Sequence, residues 1–271
     1  AIRAGNAPPL FLPQLPYVPG LGGAGVVDQI TEGVDPIWSG RRVLVDAAAS
    51  YAEFMVTAIE KVIPIPDELD TDQAMALLHD GGTALGLWET APPSPNAPIL
   101  VLPAAGGAGS VLIQLARNCD AMVLAGAGRQ QSRRLAEEFG ADVVLDYRQP
   151  DWASTLTPDQ RPTVTFDGVG GEVGFAALEA TRDGGTFISY GTAGGTLTDT
   201  VGHHERVTVI DQSILTTLHE RRRERQQGIL ELGATGQVRA HVGGVWPLAR
   251  AADAHRAFAD RTFVGKALLR M

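Results

Sequence analysis

The sequence predicts an α/β protein built on a doubly wound parallel sheet, and three observations carry that prediction. An apolar run over 99–102 meets a loop of small residues, Ala104, Ala105, Gly106, Gly107, Ala108 and Gly109. An apolar pattern with helical spacing then follows at Val111, Leu112, Leu115 and Ala116. The next stretch, AMVLAGAGRQQSRRLAEEFGADVVLDY, reads as a strand over 121–125, a helix over 130–139 and a third strand over 142–145. Strand, helix, strand, helix, strand is the nucleotide-binding half of a doubly wound sheet.

The remaining elements follow in order. Runs AGVVDQI, RRVLVDAAA and EFMVTA, between residues 24 and 58, have β character and predict a small β-rich domain. Residues 70–90 are helical, and the proline-rich stretch 92–98 reads as a boundary loop. Further strands are expected over 163–166 and 185–190, a charged helix over 214–232, a helix over 248–260 and a closing strand over 266–271. No internal repeat or long low-complexity segment interrupts this order.

The small-residue loop has a physical purpose. A pyrophosphate must come close to backbone N–H groups at a helix N-terminus, where the helix dipole also favours negative charge, and a Cβ in the turn holds it away. A glycine-rich connector is the plainer alternative, since 32 of the 271 residues are glycine; the strands and helices around the loop favour the dinucleotide reading. The end of the second strand selects the cofactor. An NAD site places Asp or Glu there for the ribose 2′-hydroxyl. Here the residues are Gly126, Ala127, Gly128 and Arg129, then Ser132, Arg133 and Arg134, with no carboxylate before Glu137. Guanidinium and hydroxyl groups suit a 2′-phosphate, so the expected cofactor is NADPH. The alternative is that Arg129 and Arg133 only decorate a solvated helix face.

Composition sets outer limits. A net charge of −9 argues against a general nucleic-acid or anionic-membrane binder. No apolar run approaches the ~20 residues of a membrane-spanning helix, and the start, AIRAGNAPPL, has no secretion-signal pattern. The single cysteine, Cys119, excludes an internal disulfide and fits a cytoplasmic setting.

Several segments, taken together, resemble the medium-chain dehydrogenase/reductase superfamily, and within it the zinc-independent quinone oxidoreductase branch, the zeta-crystallin-like proteins. LPYVPGLGGAGVV over 15–27 resembles that family's entry to its β-domain, SYAEFM over 50–55 its GYAEY segment, and DGGTALGLW over 80–88 its G-x-T-A stretch. PAAGGAG resembles the AAGGVG loop, and FGADVVLDYR, FDGVGG, SYGTAGG and VGKALLRM follow in the family's order. The resemblance implies a Rossmann NADP(H)-binding domain over 81–240 and a GroES-like catalytic domain from 1–80 with 241–271. It implies that Gly106, Gly107 and Ala108 hold the pyrophosphate and that Arg129, Ser132 and Arg133 meet the 2′-phosphate. Tyr147 would lie near the adenosine phosphate, Gly168 and Val169 on the adenosine side, and Tyr190, Gly191 and Thr192 near the nicotinamide ribose. Thr83 would lie near the nicotinamide. For Tyr190 an aromatic closing a strand is the alternative. Pro103 and Gly22 depart from the family pattern, which has a small residue and an acidic residue there. The family's first β-domain strands precede the segment resembling Ile2 to Gly5, so about fifty residues are expected to be absent, and Ala1 stands where many relatives have tyrosine.

Zinc members of the superfamily read PGHE where this chain reads Pro19, Gly20, Leu21 and Gly22, and one cysteine supplies neither zinc site. The only histidine pair, His203–His204, lies in a polar loop. No metal is expected. No Tyr is followed four residues later by Lys, and no G-x-S-x-G or H-E-x-x-H occurs. The expected activity is zinc-free hydride transfer from NADPH to a quinone or α,β-unsaturated carbonyl, by a cytoplasmic homodimer, with no catalytic residue assigned. An enoyl-thioester or biosynthetic tailoring reductase, and a non-enzymatic NADPH-binding relative, are the alternatives.

Overall fold

The computed structural model describes residues 16–260 and 262–271. The expectations for Ala1, for the segment Ile2 to Gly5 and for Leu15 lie outside the described residues. The described chain forms two compact units, one ending at Ile65 and the other spanning Pro66–Arg270.

The first unit holds an antiparallel sheet of β1 (Gly23–Val26), β2 (Arg42–Val45) and β3 (Val62–Pro64), in that spatial order. Val43, Val45 and Val62 form its buried cluster with Val27, Trp38, Ala47 and Met55 around them. The strand expected over 53–58 does not form: Phe54 and Val56 are exposed, and the third strand lies at Val62–Pro64 instead. Its prolines hid it, yet Pro64 is tolerated because β3 sits at a sheet edge. The two motifs of this unit meet. Ala49 N–H donates to the Gly20 carbonyl and Tyr51 N–H to the Pro19 carbonyl, both at 3.0 Å, and Gly22 N–H donates to Ser50 Oγ at 3.2 Å. Gly20 has φ +101°, and a Cβ there would collide with the Ser50 side chain, so the turn requires glycine.

The second unit opens with α1 (Thr71–Leu77), capped by the Asp70 carboxylate on Gln73 N–H at 2.9 Å, and α2 (Asp80–Thr90). The helix expected over 70–90 is thus two helices broken at Leu78–His79. Then come β4 (Pro98–Leu102), α3 (Gly107–Arg117), β5 (Met122–Gly126), α4 (Gln130–Glu138), β6 (Val143–Leu145), β7 (Val164–Asp167), α5 (Gly171–Ala180), β8 (Thr186–Ser189) and β9 (Thr208–Ile210). The six strands form one parallel sheet in the order β6-β5-β4-β7-β8-β9. Strand order reverses between β4 and β7, so their carboxyl ends flank a topological switch point, where doubly wound sheets bind ligands. β4 is buried along its whole length, as a central parallel strand covered on both faces must be. Leu100, Leu102, Leu124 and Phe187 are fully buried in one cluster beside it, each contributing about 1.5–3 kcal/mol on burial.

The charged stretch expected as one helix over 214–232 is instead α6 (Ile214–Thr217) and α7 (Arg222–Ala234). Leu218, in the break, is buried against Gly86 of α2, and Gly81 faces Ile229; a Cβ at either glycine would come within 2.8 Å of these side chains. Small residues thus bring α2 and α7 together. The unit ends with β10 (Val242–Pro247), α8 (Ala251–Ala259) and β11 (Lys266–Arg270), the two strands pairing in parallel. Two glycines and a proline masked β10 in the sequence. Residues 66–80 and 241–270 group with the parallel sheet by contact. Lys266 on Asp80 and Arg270 on Asp72 are the ion pairs that tie β11 to the α1–α2 segment. Among the described residues no helix is long and apolar enough to cross a membrane.

Candidate functional site

The loop after β4 is built for close approach. Gly106 precedes α3, and Gly106, Gly107 and Ala108 are half-buried while the residues on either side are buried. A Cβ at Gly109 would collide with the Pro103 carbonyl, and one at Gly107 with the Asp80 carboxylate. Pro103, which departs from the family pattern, follows a cis Leu102–Pro103 bond. The first N–H groups of α3 have no acceptor within the helix, so its N-terminus presents donors and about half a positive charge at the switch point. Asp80 lies beside it, held by Lys266 Nζ at 2.5 Å.

The end of β5 forms a second cluster. Tyr147 lies with its ring against the turn, so a Cβ at Gly128 would come within 2.8 Å of it. Arg129 occupies the N-cap position of α4 and is exposed, and Ser132 is half-buried one turn on. Arg133 Nη1 bonds Asp146 Oδ2 at 2.6 Å and approaches the Gly128 carbonyl at 3.4 Å. Arg148 bonds both Asp146 oxygens, at 3.0 and 2.9 Å. The Arg148 hydrogen bond, with the charge of Arg133 beside it, holds the Asp146 carboxyl well below its usual range. The set is two guanidinium groups around one carboxylate, with Arg129 and Ser132 on the same turn. Sequence reasoning missed Arg148 and Asp146; both stand in the LDYR motif that singled out Tyr147.

At the end of β7 the loops are zipped together. Ala193 N–H donates to the Gly168 carbonyl at 3.1 Å and Gly194 N–H to the Val169 carbonyl at 2.8 Å. This brings Gly168 and Val169 beside Gly191 and Thr192, with Val169 buried and Thr192 exposed. Asp167 is fully buried. Its Oδ1 accepts from Val169 N–H at 2.9 Å and Gly170 N–H at 3.0 Å, and its Oδ2 accepts from Thr198 Oγ1 at 2.5 Å. Burial pushes its carboxyl pKa up against these donors. Tyr190, just after β8, donates its hydroxyl to the Leu102 carbonyl at the end of β4 at 3.3 Å, with its ring on Gly168. Burial, with Asp167 and Asp80 nearby, pushes that hydroxyl pKa up.

Thr83 stands one turn along α2 from Asp80 and lines a cavity of about 210 Å³ with residues of α6, α7 and the turn between them.

A rat quinone oxidoreductase is 30% identical to this chain over 255 residues, which cover 90% of this chain and 76% of the relative. The chain belongs to the zeta-crystallin-like branch of the medium-chain dehydrogenase/reductase superfamily. A family model described as zinc-binding dehydrogenase matches residues 139–269 of this zeta-crystallin-like chain. A 2-haloacrylate reductase from Burkholderia sp is 27% identical over 283 residues, 98% of this chain and 85% of that one. The solved structure of Escherichia coli quinone oxidoreductase complexed with NADPH superimposes with a TM-score of 0.86 at 27% identity, covering 100% of this chain and 86% of that one.

The zinc in that family description does not fit the donors present. Leu21 and Gly22 carry no ligating group. Cys119 is exposed just beyond α3. His203 turns its Nδ1 to Glu179 at 3.2 Å and stacks edge-on against Phe175, while His204 is exposed. Among the described residues no three His, Cys, Asp or Glu side chains are grouped to hold a metal.

Proposed function

We propose that this protein is an NADPH-dependent reductase that delivers hydride, without a metal, to the conjugated system of a quinone or α,β-unsaturated carbonyl. The observation that carries the reading is the pairing of an open helix N-terminus at the switch point with an arginine cluster at the end of β5. Relatives named quinone oxidoreductase, one of them complexed with NADPH, support it.

When bound, NADPH supplies a hydride from its nicotinamide C4. The protein's residues bind and orient. Gly106, Gly107 and Ala108 present α3's N–H donors to the pyrophosphate, with Lys266 neutralising Asp80 beside them. Arg129, Ser132 and Arg133 face the 2′-phosphate, and Arg148 joins them. Tyr147 walls the adenosine end, Gly168 and Val169 the adenosine side, and Gly191 and Thr192 the nicotinamide ribose. Tyr190 shapes this floor by tying the end of β8 to the end of β4 across Gly168, and Thr83 faces the nicotinamide. Positioning and exclusion of water then supply the acceleration.

The reading extends to a cytoplasmic homodimer with a Rossmann domain over 81–240 and a GroES-like domain from 1–80 with 241–271. The relative named 2-haloacrylate reductase favours a second acceptor class, unsaturated carboxylates. Steady-state oxidation of NADPH with 9,10-phenanthrenequinone and with a simple enone tests the reading: turnover with either supports it. NADPH binding without turnover on any conjugated acceptor would leave a binding protein in its place.

A further inference from the structure

The room that glycine leaves at the α3 N-terminus is taken by a carboxylate of the chain itself. Asp80, the first residue of α2, places Oδ2 where a Cβ on Gly107 would stand. The same oxygen accepts from Nζ of Lys266, the first residue of β11, at 2.5 Å. The charge of Asp80 also bears on the Tyr190 hydroxyl, which bonds the Leu102 carbonyl at the end of β4. One anion and one cation thus stand together against the loop that follows β4. The Asp80 and Lys266 side chains are 36% and 28% exposed, so solutes reach both. A pair this open to water is weakly held.

We propose that Asp80 is an internal competitor of the cofactor's diphosphate, which must take Lys266 from it in order to bind. The proposal rests on the reductase reading above. Asp80 is an anion placed where that reading puts another anion. A diphosphate brings two negative charges against its one, so the two repel each other and compete for the same ammonium. Lys binds phosphate as a point charge on a flexible stem, so it passes from one acceptor to the other with no rigid fork to realign. Asp80 therefore opposes binding twice: it repels the diphosphate, and it gives up its Lys266 pair when the complex forms. A carboxylate set there favours release of the oxidised cofactor over its retention, and release limits turnover in many enzymes.

Calorimetry with full-length protein compares wild type, Asp80→Asn, Lys266→Met and the double variant, each with NADP⁺ and with inorganic pyrophosphate. Asp80→Asn should bind both ligands at least tenfold tighter than wild type. On the Lys266→Met background the same substitution should gain at least threefold less, because only the repulsion is then left to relieve. An unchanged or weaker affinity in Asp80→Asn overturns the proposal. So does an equal gain on both backgrounds, which would leave Asp80 a repelling charge with no claim on Lys266.

Lys266 is one of two lysines in the chain, the other being Lys61, so the wild type reports with no change at Asp80. Reductive methylation with carbon-13 formaldehyde labels both lysines and keeps their charge, and Lys266→Met assigns the two signals. NADP⁺ and pyrophosphate should each shift the Lys266 signal, with Lys61 as the internal reference. A Lys266 signal that neither ligand moves overturns the proposal. Failure of NADP⁺ and NADPH to bind the wild type would overturn the reductase reading, while the pyrophosphate titrations still decide whether Asp80 competes with an anion for Lys266.

Discussion

Arg133 reaches from the first turn of α4 to Asp146 just after β6, Nη1 to Oδ2 at 2.6 Å, and so pins the turn after β5 to the following strand. One side chain thus ties the turn after β5 to the fold and keeps a second cation, Arg148, on the same carboxylate.

That relationship has a pH signature. The native Asp146 carboxyl sits below its ordinary value of 3.8 because it bonds Arg148 and faces Arg133. A lowered native pKa adds stability that is full above the unfolded value and is lost as pH falls below it. Asp146→Asn should therefore cost about 1 kcal/mol at pH 7. Its melting deficit should close as pH is lowered from 3.8 toward the native pKa. Chemical denaturation of both proteins across that range checks it; a deficit constant with pH would contradict the ion-pair account.

Gly107 and Asp80 form a second coupled pair, because a Cβ at Gly107 would collide with the carboxylate that Lys266 holds. Gly107→Ala should destabilise by about 1–3 kcal/mol as the carboxylate is displaced. Adding Asp80→Ala should restore at least ~1 kcal/mol despite losing the Lys266 pair, since residues in contact couple by about that much. A double-mutant cycle by urea denaturation measures this. Strictly additive losses would show that the loop has room the structure denies it.

Asp167 organises the floor of the site with three donors on one buried carboxylate. Asp167→Ala leaves two backbone N–H groups and the Thr198 hydroxyl without this acceptor, at about 1–3 kcal/mol for each group left unsatisfied. Asp167→Asn keeps Oδ1 for the two N–H groups and offers Thr198 a donor in place of an acceptor. It also removes a charge that burial disfavours. The Asn variant should therefore stay within about 1 kcal/mol of wild type and gain on it as pH rises. Loss of fold in Asn as severe as in Ala would mean that the charge, not the geometry, is required.

The sequence displayed most of the parallel sheet because strands 99–102 and 121–125 are short apolar runs bounded by small-residue turns, and buried parallel strands need nothing else. It hid β3 and β10, whose prolines and glycines imitate loops and survive only because those strands lie at edges. The break at Leu218 was invisible because helical spacing continues across it; burial against Gly86, a tertiary contact, decides it. Within the site, the glycine loop and the Arg129–Arg133 turn were legible as local chemistry. Arg148 was passed over although its partner Asp146 stands two residues before it; what the fold adds is Arg133, brought to the same carboxylate.

The turn after β5 is proposed to read a 2′-phosphate. Calorimetric titration of wild type and Arg129→Ala with NADPH and with NADH tests it most directly. NADPH should bind at least tenfold tighter than NADH in wild type. Arg129→Ala should lose about 1.5–3 kcal/mol for NADPH, as for a charge-assisted hydrogen bond, and little for NADH. Equal binding of the two cofactors, or tighter binding of NADH, would contradict it.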